Sequence, residues 1–273
     1  MMDKIKKAIP YVILLLLAIL YLFPFLIMFT TSFKTNAEAF EAGAGLFPRK
    51  ITFENYRNVF EVIPFGRYLG NTLFITLFNM AGAILVTPMI AYSLSKLRWR
   101  GRRIIFTIVM STMLIPYTAT MIPLYKLWVS FGLIGTYVPL ILPAFFGYPY
   151  YIVIMRQFML SLPDELFEAA TIDGCGHLRR FFNIAFPLST PGITTVAIFS
   201  FLFTFSDFLG PLLYINKQTQ FTLSLGLQAF LNEHTVEWTS LMAASVMFIL
   251  PVLLLFIFAQ RYFIEGIATT GIK

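Results

Sequence analysis

The sequence predicts an all-α polytopic membrane protein with six transmembrane helices and both termini in the cytoplasm. Two observations carry this class. Hydrophobic residues fill 58% of the 273 positions and charged residues 12%, against roughly 45–50% and about 25% in soluble globular chains. The charges are also unevenly spaced. They leave six charge-free runs, each long enough for a helix across roughly 30 Å of hydrocarbon, which needs about 20 apolar residues. At a mean hydropathy of +0.79, one soluble core could not hide so much apolar surface, and a disordered chain is poor in such residues. The single cysteine, Cys175, excludes a disulfide scaffold. The net charge of +7 does not require nucleic acid, because membrane proteins keep Lys and Arg on their cytoplasmic loops.

Trimmed of turn residues, the runs place the spans near 11–31, 70–93, 104–124, 138–158, 189–211 and 241–262. Lys4, Lys6 and Lys7 precede the first, and Ala37-Glu38-Ala39 has the look of a cleavage site. The apolar run is longer than the 7–15 residues or so of a signal peptide, which predicts a retained helix. With the N-terminus inside, the inside segments carry 13 of the 20 Lys and Arg. The basic stretch from Lys96 to Arg103 is the strongest anchor and reads as an orientation signal. The segments near 32–69, 125–137 and 212–240 then lie outside. The longest of these is too short for a core of its own, so residues 1–273 form one transmembrane domain, with its core at 69–264 and a cytoplasmic loop at 159–188.

The third and fourth spans carry Pro116, Pro123, Pro139, Pro143 and Pro149. Each removes a backbone donor and favours a kink; such breaks suit helices that line a path, and equally the ordinary irregularity of helix packing. Asp207 is the sole acid inside or at the edge of a span. It needs a partner, an aqueous cavity or the outer interface. Asn79 and Tyr117, polar positions within spans, join it as candidates for a polar pathway.

Catalytic signatures are missing. His177 and His234 fall on opposite sides of the membrane in this topology, so they cannot share a metal. Cys175 has no Cys-x-x-Cys partner, no Gly-x-Ser-x-Gly elbow occurs, and the glycines of the tail, Gly266 and Gly271, lack the context of a phosphate loop. The chain is expected to hold no enzyme site, no metal and no cofactor of its own.

The loop between spans 4 and 5 is the most informative segment. Pro163 suits a first helical position and Asp164 and Glu165 complement the helix dipole. Gly174 is a natural stop. A short helix over about 163–173 follows, with Leu166, Ala169, Ala170 and Asp173 on one face. A second helix from about 175 to 185 ends before Pro187. The pattern is that of a rigid docking element, and the paired alanines allow close approach.

This loop resembles the EAA loop in the membrane subunits of binding-protein-dependent ABC importers: Glu-Ala-Ala, three residues, Gly, nine residues, Ile, one residue, Leu, Pro. Glu168, Ala169, Ala170, Gly174, Ile184 and Pro187 stand at those spacings, with Phe186 where leucine is usual. Other stretches resemble the sugar branch of that family, that of the smaller maltose-permease-type subunit. They are Phe53-Glu54-Asn55-Tyr56, Leu69-Gly70-Asn71-Thr72 opening helix 2, the run from Ala91 to Gly101, Ile122-Pro123-Leu124-Tyr125 ending helix 3, Phe205 to Leu212, and the tail from Gln260.

The resemblance implies a permease subunit working by alternating access in the prokaryotic cytoplasmic membrane. It implies a second permease subunit, two ATP-binding subunits that carry ATP and Mg, and an extracytoplasmic solute-binding protein that delivers a sugar. Glu168, Ala169, Ala170, Asp173 and Gly174 would dock on an ATPase subunit, and Gln260, Arg261, Gly271 and Lys273 of the tail would reach toward the ATPase pair. Asp207, Asn79 and Tyr117 remain the pathway candidates. The same machinery with another cargo, such as glycerol phosphate, and a stand-alone secondary transporter are the competing readings.

Overall fold

The computed structural model describes residues 2–231 and 237–270, with side chains described for 9–231 and 237–259. Fifteen α-helical segments are described: α1 (Met2–Thr31), α2 (Asn36–Phe40), α3 (Glu54–Val62), α4 (Phe65–Ser95), α5 (Arg102–Thr112), α6 (Tyr117–Ser130), α7 (Val138–Ile141), α8 (Pro149–Ser161), α9 (Asp164–Ile172), α10 (His177–Arg180), α11 (Phe186–Leu188), α12 (Thr190–Phe205), α13 (Leu209–Tyr214), α14 (Leu223–Gly226) and α15 (Trp238–Thr270).

Four stretches among the described residues are long and apolar enough to cross a membrane: Ile9–Thr31, Phe65–Ser95, Val138–Ser161 and Trp238–Ala259. Two bent pairs make six if each counts as one span: α5 with α6, bent by 98°, and His177–Leu188 with α12, bent by 75°. The span expected as one helix over 104–124 is therefore two legs. Pro116 lies at the break, extended and capping α6; it has no N–H with which to continue the α5 hydrogen-bond ladder. Ile122-Pro123-Leu124-Tyr125 lies inside α6 rather than at a helix end. The expected span at 189–211 also ends early, at Phe205, and the chain turns through Ser206, Asp207 and Phe208 before α13.

By packing, the chain divides into two compact units, Met1–Gly66 with Gly226–Val252, and Arg67–Leu225 with Leu253–Lys273. In the first, buried Asn55 fastens the turn after α1. Its amide donates to the carbonyls of Ser32 at 2.8 Å and Lys34 at 2.7 Å. The Tyr56 and Ser32 hydroxyls bond at 2.8 Å, and the ring of Phe33 meets those of Phe29, Phe53 and Tyr56. Thr239 donates to the Asn36 side chain at 2.8 Å.

In the second unit, α4 makes contacts near both of its ends. Helix 2 does not open at 69–72 as expected; it starts at Phe65. Asn71 and Thr72 instead hold the segment before α14. Asn71 donates to the carbonyls of Thr219 and Phe221 at 3.0 and 2.9 Å, and the Thr72 hydroxyl accepts from the Leu223 N–H at 2.8 Å. Near its far end, Ala91 and Tyr92 of α4 share a core with Met155, Met159, Phe167, Phe181 and Ala185.

Candidate functional site

The loop between α8 and α12 forms two short helices, as its residue pattern requires. The first, α9, closes with paired C-terminal bonds: Gly174 N–H to Thr171 O at 3.1 Å and Cys175 N–H to Ala170 O at 2.9 Å. This six-to-one and five-to-two pairing satisfies carbonyls that would otherwise be orphaned. It needs a left-handed residue, and Gly174 sits at φ +76°.

The second helical stretch does not stop before Pro187. It continues to Leu188 through a π turn at Phe181–Ala185, where Phe186 N–H reaches Phe181 O. A π turn shifts the hydrogen-bond ladder by one residue. That shift lets the chain enter Pro187, which has no donor, without breaking.

The expected face of α9 is corrected by its packing. Ala169 and Ala170 do not point the same way. Ala170 and Phe167 are buried, whereas Leu166, Glu168, Ala169 and Asp173 are exposed, and Ile172 is 87% exposed. Helix geometry explains this: positions 167 and 170 are three apart and share the inner stripe, and 169 lies about 100° away from 170. Leu178, 67% exposed, continues the apolar outer surface beyond the turn. Glu168 makes no hydrogen bond or ion pair with the described residues, and nothing lies within 4 Å of where a Cβ on Gly174 would project.

The inner stripe of α9 is fastened to the end of α4. The Phe167 ring lies 6.1 Å from that of Tyr92, which in turn lies 5.5 Å from Phe181. Lys96, just beyond α4, donates to Leu162 O at 2.6 Å and Asp164 Oδ1 at 2.5 Å, and its ammonium lies 5.1 Å over the Phe167 ring. The Lys96 ammonium holds the Asp164 carboxyl below the usual carboxylate range. Arg102 donates to Ser95 O and Leu97 O, and Arg180 donates to the Thr171 hydroxyl at 2.6 Å. Sequence reasoning took Lys96 and its neighbours for an orientation signal and missed this brace. The available signal was a lysine directly after an apolar helix, opposite an acid at the start of the next amphipathic one.

The pathway candidates come together. Asp207, Asn79 and Tyr117 all line one cavity of about 820 Å³ in the second unit. Tyr148, Tyr150, Tyr151, Tyr214 and Trp128, which the sequence gave no reason to single out, line it too. Asn79 is buried in structural bonds: its amide donates to Ile75 O at 3.0 Å and Leu140 O at 2.9 Å. Asp207 sits in the break between α12 and α13, where its Oδ1 accepts the Gly210 N–H at 3.1 Å. Its Oδ2 lies where a Cβ on Gly210 would project, so glycine is what allows this approach.

Gln260 and Arg261 lie on α15, but their side chains are outside the described residues, and Gly271, Lys273 and His234 lie outside them altogether. Among the described residues no three His, Cys, Asp or Glu are grouped to hold a metal.

The profile of the family described as binding-protein-dependent transport system inner membrane component matches residues 83–268. The chain is 35% identical over 260 residues to the arabinooligosaccharides transport system permease protein AraQ of Halalkalibacterium halodurans, covering 94% of this chain and 93% of that one. It is 32% identical over 260 residues to the melibiose/raffinose/stachyose import permease protein MelC of Bacillus subtilis, covering 94% of each. Its fold matches a chain of a bacterial ABC transporter involved in the import of the acidic polysaccharide alginate. That match has a TM-score of 0.83 and 26% identity over 96% of this chain and 97% of the other.

Proposed function

Because this chain belongs to the family of binding-protein-dependent transport system inner membrane components, we propose that it is the permease subunit of an ATP-driven importer for oligosaccharides. Its spans cross the bacterial cytoplasmic membrane six times, with both termini and α9 on the cytoplasmic side. It holds no ATPase site. ATP and Mg act on two partner subunits, a second permease completes the pathway, and an extracytoplasmic solute-binding protein presents the cargo.

The observation that carries this reading is α9 itself. The Glu168-Ala169-Ala170 and Gly174 spacing coincides with a helix whose inner stripe is bolted to α4 and whose outer face is left free. Ala169, Asp173 and the Glu168 carboxylate are the contacts offered to an ATPase groove, and Ala170 seats the helix on its own chain. Rotation of the ATPase pair would pass through this stiff connection into α4, and a two-state rigid-body change needs no more than such a lever. The tail at Gln260, Arg261, Gly271 and Lys273 supplies a second contact by family likeness. Asp207, Asn79 and Tyr117 mark the pathway.

The sugar cargo is supported by full-length similarity to permeases named for arabino-oligosaccharides and for melibiose, raffinose and stachyose. The test is ATP hydrolysis by the purified complex in lipid vesicles with its binding protein. Stimulation by an oligosaccharide supports the reading. Stimulation by glycerol phosphate or an amino acid alone would replace the cargo and leave the machinery standing.

A further inference from the structure

The cavity that holds Asp207 has a one-sided chemistry. Among the described residues that line it, Asp207 alone is charged, and five tyrosines and Trp128 share the lining. Its volume of about 820 Å³ falls within the range of small-molecule sites, roughly 300–1,000 Å³. Aromatic faces suit the apolar CH faces of a sugar ring, and the tyrosine hydroxyls both donate and accept. The Asp207 carboxylate only accepts. The backbone N–H groups of Gly210 and Leu209 turn toward it, and no described ion pair involves it. It therefore has capacity left for a donor from whatever fills the space.

Resting on the importer reading above, we propose that this cavity is a cargo site built by this chain itself, selective for uncharged saccharides and closed to uronates by Asp207. A hydroxyl of a neutral sugar donates to the carboxylate. A uronate brings a second carboxylate to the same space, with no lysine or arginine among the lining residues to offset it. Two like charges about 5 Å apart at an effective dielectric near 20 disfavour occupancy on the order of a hundredfold.

The test reads this chain alone inside its intact complex. In native membranes carrying Cys175→Ser, a single reporter thiol is placed at Thr120→Cys or, independently, at Thr112→Cys, both on the cavity wall. N-ethylmaleimide modification is followed by the mass of the peptide from this chain. Arabinotriose and raffinose are the neutral probes and trigalacturonate the acidic one. The expected result is protection by at least one neutral probe and none by trigalacturonate at concentrations where the neutral probe saturates. Adding Asp207→Asn should bring the half-protecting concentrations at least tenfold closer. Equal protection by trigalacturonate, or an unchanged ratio in Asp207→Asn, overturns the selectivity. Thiols that do not react, or that no saccharide protects, overturn the cargo site. The importer reading fails separately, if no ATPase subunit accompanies the chain.

Discussion

Lys96, the residue just after α4, and Asp164, which opens α9, are joined at 2.5 Å although they stand 68 positions apart. The lysine side chain is only 5% exposed and the aspartate side chain 74%. The same ammonium holds the Leu162 carbonyl at 2.6 Å. The ion pair contributes little in such exposure; the part-buried bond from a charged donor to a backbone carbonyl contributes more, about 1.5–3 kcal/mol. Lys96→Ala should therefore lower cargo-stimulated ATP hydrolysis at least tenfold while basal hydrolysis persists. Asp164→Asn, which keeps an acceptor oxygen, should lower it less than threefold. Comparable losses in both would show that the ion pair, not the carbonyl bond, fastens α9.

The same pair sets an expectation for pH. The Asp164 carboxyl is held down in the folded chain by Lys96, so its contribution is present above the unfolded carboxylate value near 4 and lost as pH falls through the lower folded value. Cargo-stimulated hydrolysis should show no step between about pH 6 and 8 that Asp164→Asn removes. Titrating wild type and variant side by side checks this.

Gly174 is constrained by backbone rather than by space. Its φ is +76° and an added Cβ would meet nothing. Left-handed geometry costs a residue with a Cβ about 1–2 kcal/mol, least for Asn and most for β-branched residues. Recovery of the ATPase subunit with the tagged chain should fall in the order glycine, Gly174→Asn, Gly174→Ala, Gly174→Val. Undiminished recovery with Gly174→Val would remove the turn from the docking account.

Glu168 is exposed and unpaired among the described residues, so it carries no internal structural duty there. Glu168→Lys should leave the amount of chain in the membrane unchanged and reduce uptake by at least a hundredfold. Normal uptake by this variant would sink the coupling assignment.

Asn79 bridges Ile75 and Leu140 with both donors of its amide. Asn79→Ala leaves the buried Leu140 carbonyl without that partner, at a cost of about 1–3 kcal/mol. The expected result is a lower thermal midpoint of the purified complex, with a larger effect on stability than on the half-saturating cargo concentration. The reverse order would make Asn79 a cargo contact first.

The class, four of the six span positions and the short loop helices were legible because charge-free runs and the Gly174 stop are local signals. The breaks at Pro116 and at Asp207 were legible only in part. Proline marks where a kink is favoured, but the 98° bend of α5 against α6 depends on what the two legs pack against. The split of Ala169 from Ala170 follows from Phe167 finding Tyr92, a contact between residues 75 positions apart that no window of sequence contains. Lys96 was misread for the same reason. A basic run after a span looks alike whether its charges face water or reach back to a neighbouring helix. Asp207, Asn79 and Tyr117 were nominated one by one from polarity alone; that they share one cavity, with tyrosines beside them, became visible only once α6, α8 and α13 had been placed.

The central claim is that this chain is one permease of an ATP-driven importer, coupled through α9. Its most direct test is mild-detergent purification of the tagged chain from native membranes, with subunit masses, stoichiometry and ATP hydrolysis recorded. The account predicts one copy of this chain with one second permease and two ATPase chains, hydrolysing ATP, and loss of the ATPase chains on Glu168→Lys. A lone or homo-oligomeric chain without ATP hydrolysis, the same in several detergents, would contradict it.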